Sequence, residues 1–149
     1  MASDVPNRKT IRKALTALLE TALVGAGKPA QAIYDYKASD FEGQSPVIVV
    51  SSGPSDRTKQ AQPTRANSLI LLDIDVFTAY AEANWTEENS EDAQDDLEKA
   101  ISDVLLDNDT TNDWEQLQFN GASEVDFNVV GGKLYRQETI RVQIQVFSE

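Results

Sequence analysis

From Val125 to Phe147 apolar and polar residues alternate on either side of a Gly131-Gly132 pair. Period-two apolarity marks a half-buried strand, and two adjacent glycines accept the positive φ angles that a two-residue hairpin turn needs. The register follows from the turn. Val130 faces Lys133, so Val129 lies opposite Leu134 and Phe127 opposite Arg136, and Val125, Phe127 and Val129 share a face with the even-numbered residues of the last strand. That face wants a cover. Arg136 and Glu138 interrupt it, which predicts that the outer part of the hairpin projects beyond the packed core and offers itself to a neighbour.

The residue inventory removes whole classes of chemistry. The 149 residues include no cysteine and no histidine, so disulfides, thiolate metal sites, Ser-His and Cys-His nucleophile pairs and imidazole acid–base catalysis are excluded. A chain of this length suits one domain and buries roughly two-thirds of its unfolded surface. No run approaches the roughly 20 apolar residues of a membrane-spanning helix and no signal-peptide core opens the chain, so a soluble protein without a membrane partner is expected. The net charge of −12 is unevenly placed: residues 81–127 hold fifteen acids against one lysine. Such a segment repels nucleic acid.

Taken in order, Ile11, Leu15, Leu18, Leu19, Ala22 and Leu23 recur at helical spacing, and Gly25, Gly27 and Pro29 stop the run. A start capped by Ser3 is preferred to one at Asn7, which would put Arg8 and Lys9 at the positive end of the helix dipole. Ala32 to Tyr36 reads as a short strand. Val47 to Val50 is unbroken and β-branched, as expected of a strand buried on both faces. Ser51 to Asn67, with Gly53, Pro54 and Pro63 and almost no apolar side chains, reads as a seventeen-residue loop. Ser68 to Tyr80 is a long strand, with Ile70, Leu72, Ile74, Val76 and Thr78 on one face. A second helix, capped by Ser90, carries Ala93, Leu97, Ala100, Ile101, Val104 and Leu105 as its apolar stripe. Trp114 to Phe119 is a further short strand. The expected architecture is α+β: a two-layer domain with a mainly antiparallel sheet of about four strands, two amphipathic helices on one face, and the projecting C-terminal hairpin.

Each candidate site has a plainer competitor. Asp107 to Asp113 fails as a calcium loop because the sixth position is Asn112 and the twelfth is Gln118. Asp73 and Asp75 share a strand face without a recognisable third ligand, so an exposed strand face or a subunit contact outweighs a carboxylate-dependent metal enzyme. Glu91, Asp92, Asp95 and Asp96 form a solvated acidic surface or a wall past which DNA slides. Arg57, Lys59 and Arg65 in the long loop are candidates for docking a partner. Tyr135, Arg136 and Glu138 are candidates for contact between subunits. Trp85 and Trp114 read as core or interface anchors.

Together these elements resemble the tail-terminator, or tail-completion, proteins of tailed bacteriophages. The residues that carry the resemblance are the helix from Ile11 to Leu19, Tyr34-Asp35-Tyr36, Ser45-Pro46 leading through Val50 into a Gly-Pro loop, and the strand from Leu69 to Tyr80. The acidic helix and the ending from Gly131 to Val146 complete it. The resemblance implies a non-enzymatic virion protein without cofactors that forms a ring, typically of six copies, at the head-proximal end of the tail tube. It implies as partners further copies of the chain, the tube protein and the head–tail connector or adaptor, with DNA passing unbound; the alternative is that the chain is itself another neck or head–tail adaptor protein. Six touching spheres of this chain's expected size leave a hole of about 38 Å, wide enough for a duplex.

Overall fold

The computed structural model describes residues 8–59, 66–81, 85–121 and 123–148. Its spine is the C-terminal strand. Helix α1 (Arg8–Leu23) is followed by strands β1 (Ala32–Tyr34), β2 (Val47–Lys59) and β3 (Ala66–Ala79), helix α2 (Glu87–Asp107), and strands β4 (Gln116–Phe119), β5 (Glu124–Val130) and β6 (Lys133–Ser148). The sheet order is β1-β2-β3-β6-β4, with β5 also on β6. Strand β6 pairs with β3 from Tyr135 to Ser148 on one side, and on the other with β5 over its first half and β4 over its second. The hairpin register is the expected one: Val130 opposes Lys133, Val129 opposes Leu134 and Phe127 opposes Arg136. Gly131 and Gly132 supply φ values of +58° and +82°, the left-handed pair such a turn requires.

The α+β class holds, with both helices on one face. The sheet is larger and more mixed than expected, with six strands of which β1 runs parallel to β2 and the other pairs are antiparallel. The long loop is the main correction. Most of Ser51 to Asn67 extends the β2–β3 hairpin, pairing Ser55 with Ile70 through to Lys59 with Ala66. A register shift between Ser52 and Ser55 takes up Gly53 and Pro54, because a bulge lets a strand keep residues that cannot sit in a regular ladder.

Two cores flank the sheet. On the helix side Ile11, Leu15 and Leu19 of α1 and Leu97, Ile101 and Leu105 of α2 pack on Ile48, Val50, Ile70, Leu72, Ile74, Val76, Val142 and Ile144. Each such aliphatic side chain contributes about 1.5 to 3 kcal/mol of burial. On the reverse side Phe41 covers Val47, Val49, Phe77, Ala79 and Tyr135. Val47 to Val50 are therefore buried on both faces, as their unbroken β-branched run predicts. Trp114 is a core anchor, its indole Nε1 donating to the Asn108 carbonyl at 3.0 Å, and Trp85 packs at the edge of the second core. The proposed Ser3 cap lies outside the described residues.

The start of α2 differs from the sequence expectation. Thr86 is the N-cap, its hydroxyl accepting from the Asn89 amide at 3.1 Å, and Glu87 and Glu88 occupy the first turn. Ser90 instead faces the core, buried, with its hydroxyl unpartnered. The two residues should respond oppositely to alanine. Thr86→Ala should cost about 1 kcal/mol through loss of the cap, whereas Ser90→Ala should be neutral or stabilising because it removes an unsatisfied buried hydroxyl. Urea unfolding of the two variants checks both signs.

Candidate functional site

The helix-facing side of β6 is covered from Arg136 to Val146 and opens at Leu134. Where the cover ends, Gln94 of α2 reaches the sheet: its side-chain amide donates to the carbonyls of Val76 at 2.8 Å and Arg136 at 3.2 Å, and its oxygen accepts from the Arg136 guanidinium. Gln94 is fully buried, a polar residue on the stripe where apolar periodicity selects Ala93. Beyond it Val125, Phe127, Val129 and Leu134 are exposed to 45, 51, 68 and 38%. They form one apolar patch on the same face of the hairpin, extended by the edge-to-face contact of Phe127 with Tyr80 at 4.9 Å. Contiguous apolar patches of this kind on a folded protein mark interaction surfaces.

The hairpin residues singled out from sequence are not the ones presented. Tyr135 is 1% exposed and lies in the reverse-side core, its hydroxyl donating to the Gln44 carbonyl at 3.2 Å. Arg136 is held by Gln94 and stands 4.0 Å from Glu91. Glu138 is buried and accepts from the Ser123 hydroxyl at 2.7 Å. Tyr135 is taken up by the reverse-side core with Phe41, and Arg136 and Glu138 by Gln94 and Ser123, so the free surface falls on β5 and on Leu134. Among the basic docking candidates, Arg57 and Lys59 stand on β2 opposite Ser68 and Ala66, and so on a strand, not a loop. Arg65 lies outside the described residues.

Glu91, Asp92, Asp95 and Asp96 are all exposed along α2. Like charges four residues apart, as in Glu87 and Glu91 or Asp92 and Asp96, oppose the helix by a few tenths of a kcal/mol each. The apolar stripe on the opposite side holds it down. Lys99 is its one internal cation, paired with Asp103 at 2.8 Å. The Asp107 to Asp113 turn spends its polar groups on itself, with the Asp113 amide donating to the Thr111 hydroxyl and the Thr110 hydroxyl to the Glu115 carbonyl, both at 3.0 Å.

Asp73 and Asp75 point to the reverse side and have different surroundings. Asp75 is buried and accepts from the Thr139 hydroxyl at 2.5 Å, so it is not on the exposed strand face expected from sequence. Asp73 is half-buried and 3.6 Å from Arg141. Desolvation, followed by repulsion from Asp75, raises the Asp73 pKa above the usual aspartate value against the pull of Arg141. Folding therefore binds its proton more tightly, and stability falls as pH rises from the ordinary aspartate range through the raised value. Asp73→Asn should abolish that part of the slope, seen as a wild-type-minus-variant difference in urea midpoints that changes as pH rises from the ordinary aspartate range upward. A pH-independent difference would contradict the assignment. Among the described residues no three carboxylates converge as a metal site would require.

No protein-family model matches the chain, and no curated protein matches it. Among solved structures, a chain from the virion of a native gene transfer agent particle is similar. The match spans 88% of this chain and 84% of that one, at 21% identity and a TM-score of 0.42.

Proposed function

We propose that the protein is a structural virion component that closes a ring on the head-proximal end of a phage tail tube, ends tube growth and meets the head–tail connector. The observation that carries the reading is the apolar hairpin face of Val125, Phe127, Val129 and Leu134, left uncovered where the helices end. An apolar face of this kind is suited to a contact between subunits, and a heterologous contact that closes makes a ring. The sequence resemblance to tail-completion proteins points the same way. In the ring the acidic outer face of α2 serves as a wall that keeps DNA moving.

Addition of the purified protein to polymerising tube protein tests this. Capped tubes of limited length are expected, and tubes that grow on unchanged would count against it. The β2–β3 hairpin with Arg57 and Lys59 is the proposed docking arm, and Arg65, outside the described residues, is the third basic candidate. Replacing all three with Glu should leave the circular dichroism melt unchanged and weaken tube capping, more at low salt than at high, because charge steering is screened within about 10 Å at 0.1 M salt. Equal loss at all salt concentrations would remove charge from the docking step.

A further inference from the structure

The reverse face of the sheet holds a cavity of about 290 Å³, bounded on one side by Asn128, Val129 and Val130 of the hairpin. Its walls include Phe41, Val49 and Phe77, and Lys37, Asp75 and Gln137 also line it. The apolar wall belongs to the second core and is fixed by ring packing, with Phe41 and Phe77 4.8 Å apart. The polar side is a directional chain of hydrogen bonds. The Asn128 side-chain amide donates to the Gln137 oxygen, the Gln137 amide donates to the Thr139 hydroxyl at 3.4 Å, and that hydroxyl donates to Asp75 Oδ1 at 2.5 Å. Every donor in the chain points toward the carboxylate, the polarity that stabilises a negative charge at its end.

Asp75 itself is only 5% exposed. A carboxylate taken that far out of water needs a counter-charge as well as hydrogen bonds. Two cations are near, Arg141, which pairs with Asp73, and Lys37, which lines the same cavity. Arg141 lies between Asp73 at 3.6 Å and Glu124 at 3.4 Å. Lys37 is exposed, its long side chain free to reach solvent at the rim. Among the described residues no cation forms an ion pair with Asp75, and the cavity it lines has an aromatic wall.

We propose that this cavity binds an alkyl cation, a guanidinium or primary ammonium group on a short apolar stem. The cationic head pairs with Asp75, which Thr139 orients, and the stem lies against Phe41, Val49 and Phe77. The aromatic faces add attraction for the cation. The same chemistry is carried by a free small guanidine or amine and by an Arg or Lys side chain of an assembling protein. The proposal does not depend on the ring.

The test is titration of the full chain, followed by NMR at the side-chain amides of Asn128 and Gln137, with N-butylguanidinium and with its neutral isostere N-butylurea. Saturable shifts in the millimolar range are expected for the cation, none for the urea, and a loss of affinity of about tenfold or more in Asp75→Asn, which keeps the Thr139 hydrogen bond and so the fold. A blocked Gly-Arg-Gly peptide distinguishes the sources: binding at least as tight as the free cation assigns a protein side chain, and weaker binding a small molecule. No saturable shift with the cation, equal binding of the urea, or undiminished binding to Asp75→Asn would overturn the proposal.

Discussion

A chain carrying both Val125→Asp and Val129→Asp should fold as the wild type does and fail to assemble. Both side chains are exposed, at 45 and 68%, on the open face of the hairpin, so the monomer loses little by their replacement, about 1 kcal/mol at most from strand propensity. An interface loses far more. Two carboxylates placed at the centre of an apolar contact are desolvated without partners, a cost of several kcal/mol that weakens association by a hundredfold or more on the order-of-magnitude scale of charge burial. Phe127 is left in place because its ring packs on Tyr80, which keeps the comparison free of a folding effect. Analytical ultracentrifugation should give monomers for the variant under conditions where the wild type forms rings, with superimposable urea curves. A variant that assembles normally would show that the patch is not the subunit contact.

The largest expected loss of stability comes from a residue in a connecting segment. Phe41, between β1 and β2, is 1% exposed and contacts Phe77, Tyr135 and Tyr34 with ring centroids 4.8, 5.3 and 5.8 Å away. It is the central ring of the reverse-side core, with Tyr34, Ala38, Trp85 and Val130 packed around the cluster. Phe41→Ala should cost about 3 to 5 kcal/mol, the range for deleting a fully buried aromatic ring. The loss should be local in its consequences, loosening the segment that also holds the Gln44 carbonyl on the Tyr135 hydroxyl. Urea unfolding gives the magnitude, and amide exchange should quicken around Asp40 to Gln44 before it does in β3 or β6. A cost below about 1 kcal/mol would mean that the segment is dispensable to the core.

How much of this could be read from sequence depends on whether a residue has periodic neighbours. The hairpin could be read to the residue, because period-two apolarity and a two-glycine turn together leave one register. Val47 to Val50 and the α1 stripe were legible for the same reason. Phe41 was not: it is an isolated aromatic beside Gly43, and only the folded chain brings Val47, Phe77 and Tyr135 beneath it. The β2 extension was hidden because Ser55 to Lys59 contains no apolar residue and follows Gly53-Pro54, a turn signal that the bulge absorbs. Pairing with β3 holds that segment as strand, and no local pattern announces it. Thr86 and Ser90 satisfy the capping rule equally well on paper, and the difference is made by which face of the helix meets the sheet.

For the candidate surfaces the split falls elsewhere. That the hairpin offers a free apolar face followed from alternation, whereas which residues it offers depended on Phe41, Gln94 and Ser123, distant in sequence, which take Tyr135, Arg136 and Glu138 out of the exposed set. The Asp73 and Asp75 pair could be read as sharing a face, but the chain from Asn128 to Asp75 joins residues far apart in sequence. Gln94 was invisible because a buried glutamine breaks the apolar stripe it belongs to.

Ring formation on a tube end is most directly tested by negative-stain imaging of the purified protein, alone and mixed with tail tubes. The proposed function predicts closed rings, or density capping one end of each tube, with both lost in the Val125→Asp, Val129→Asp variant. Monomers that leave both tube ends bare and tube length unlimited would contradict it.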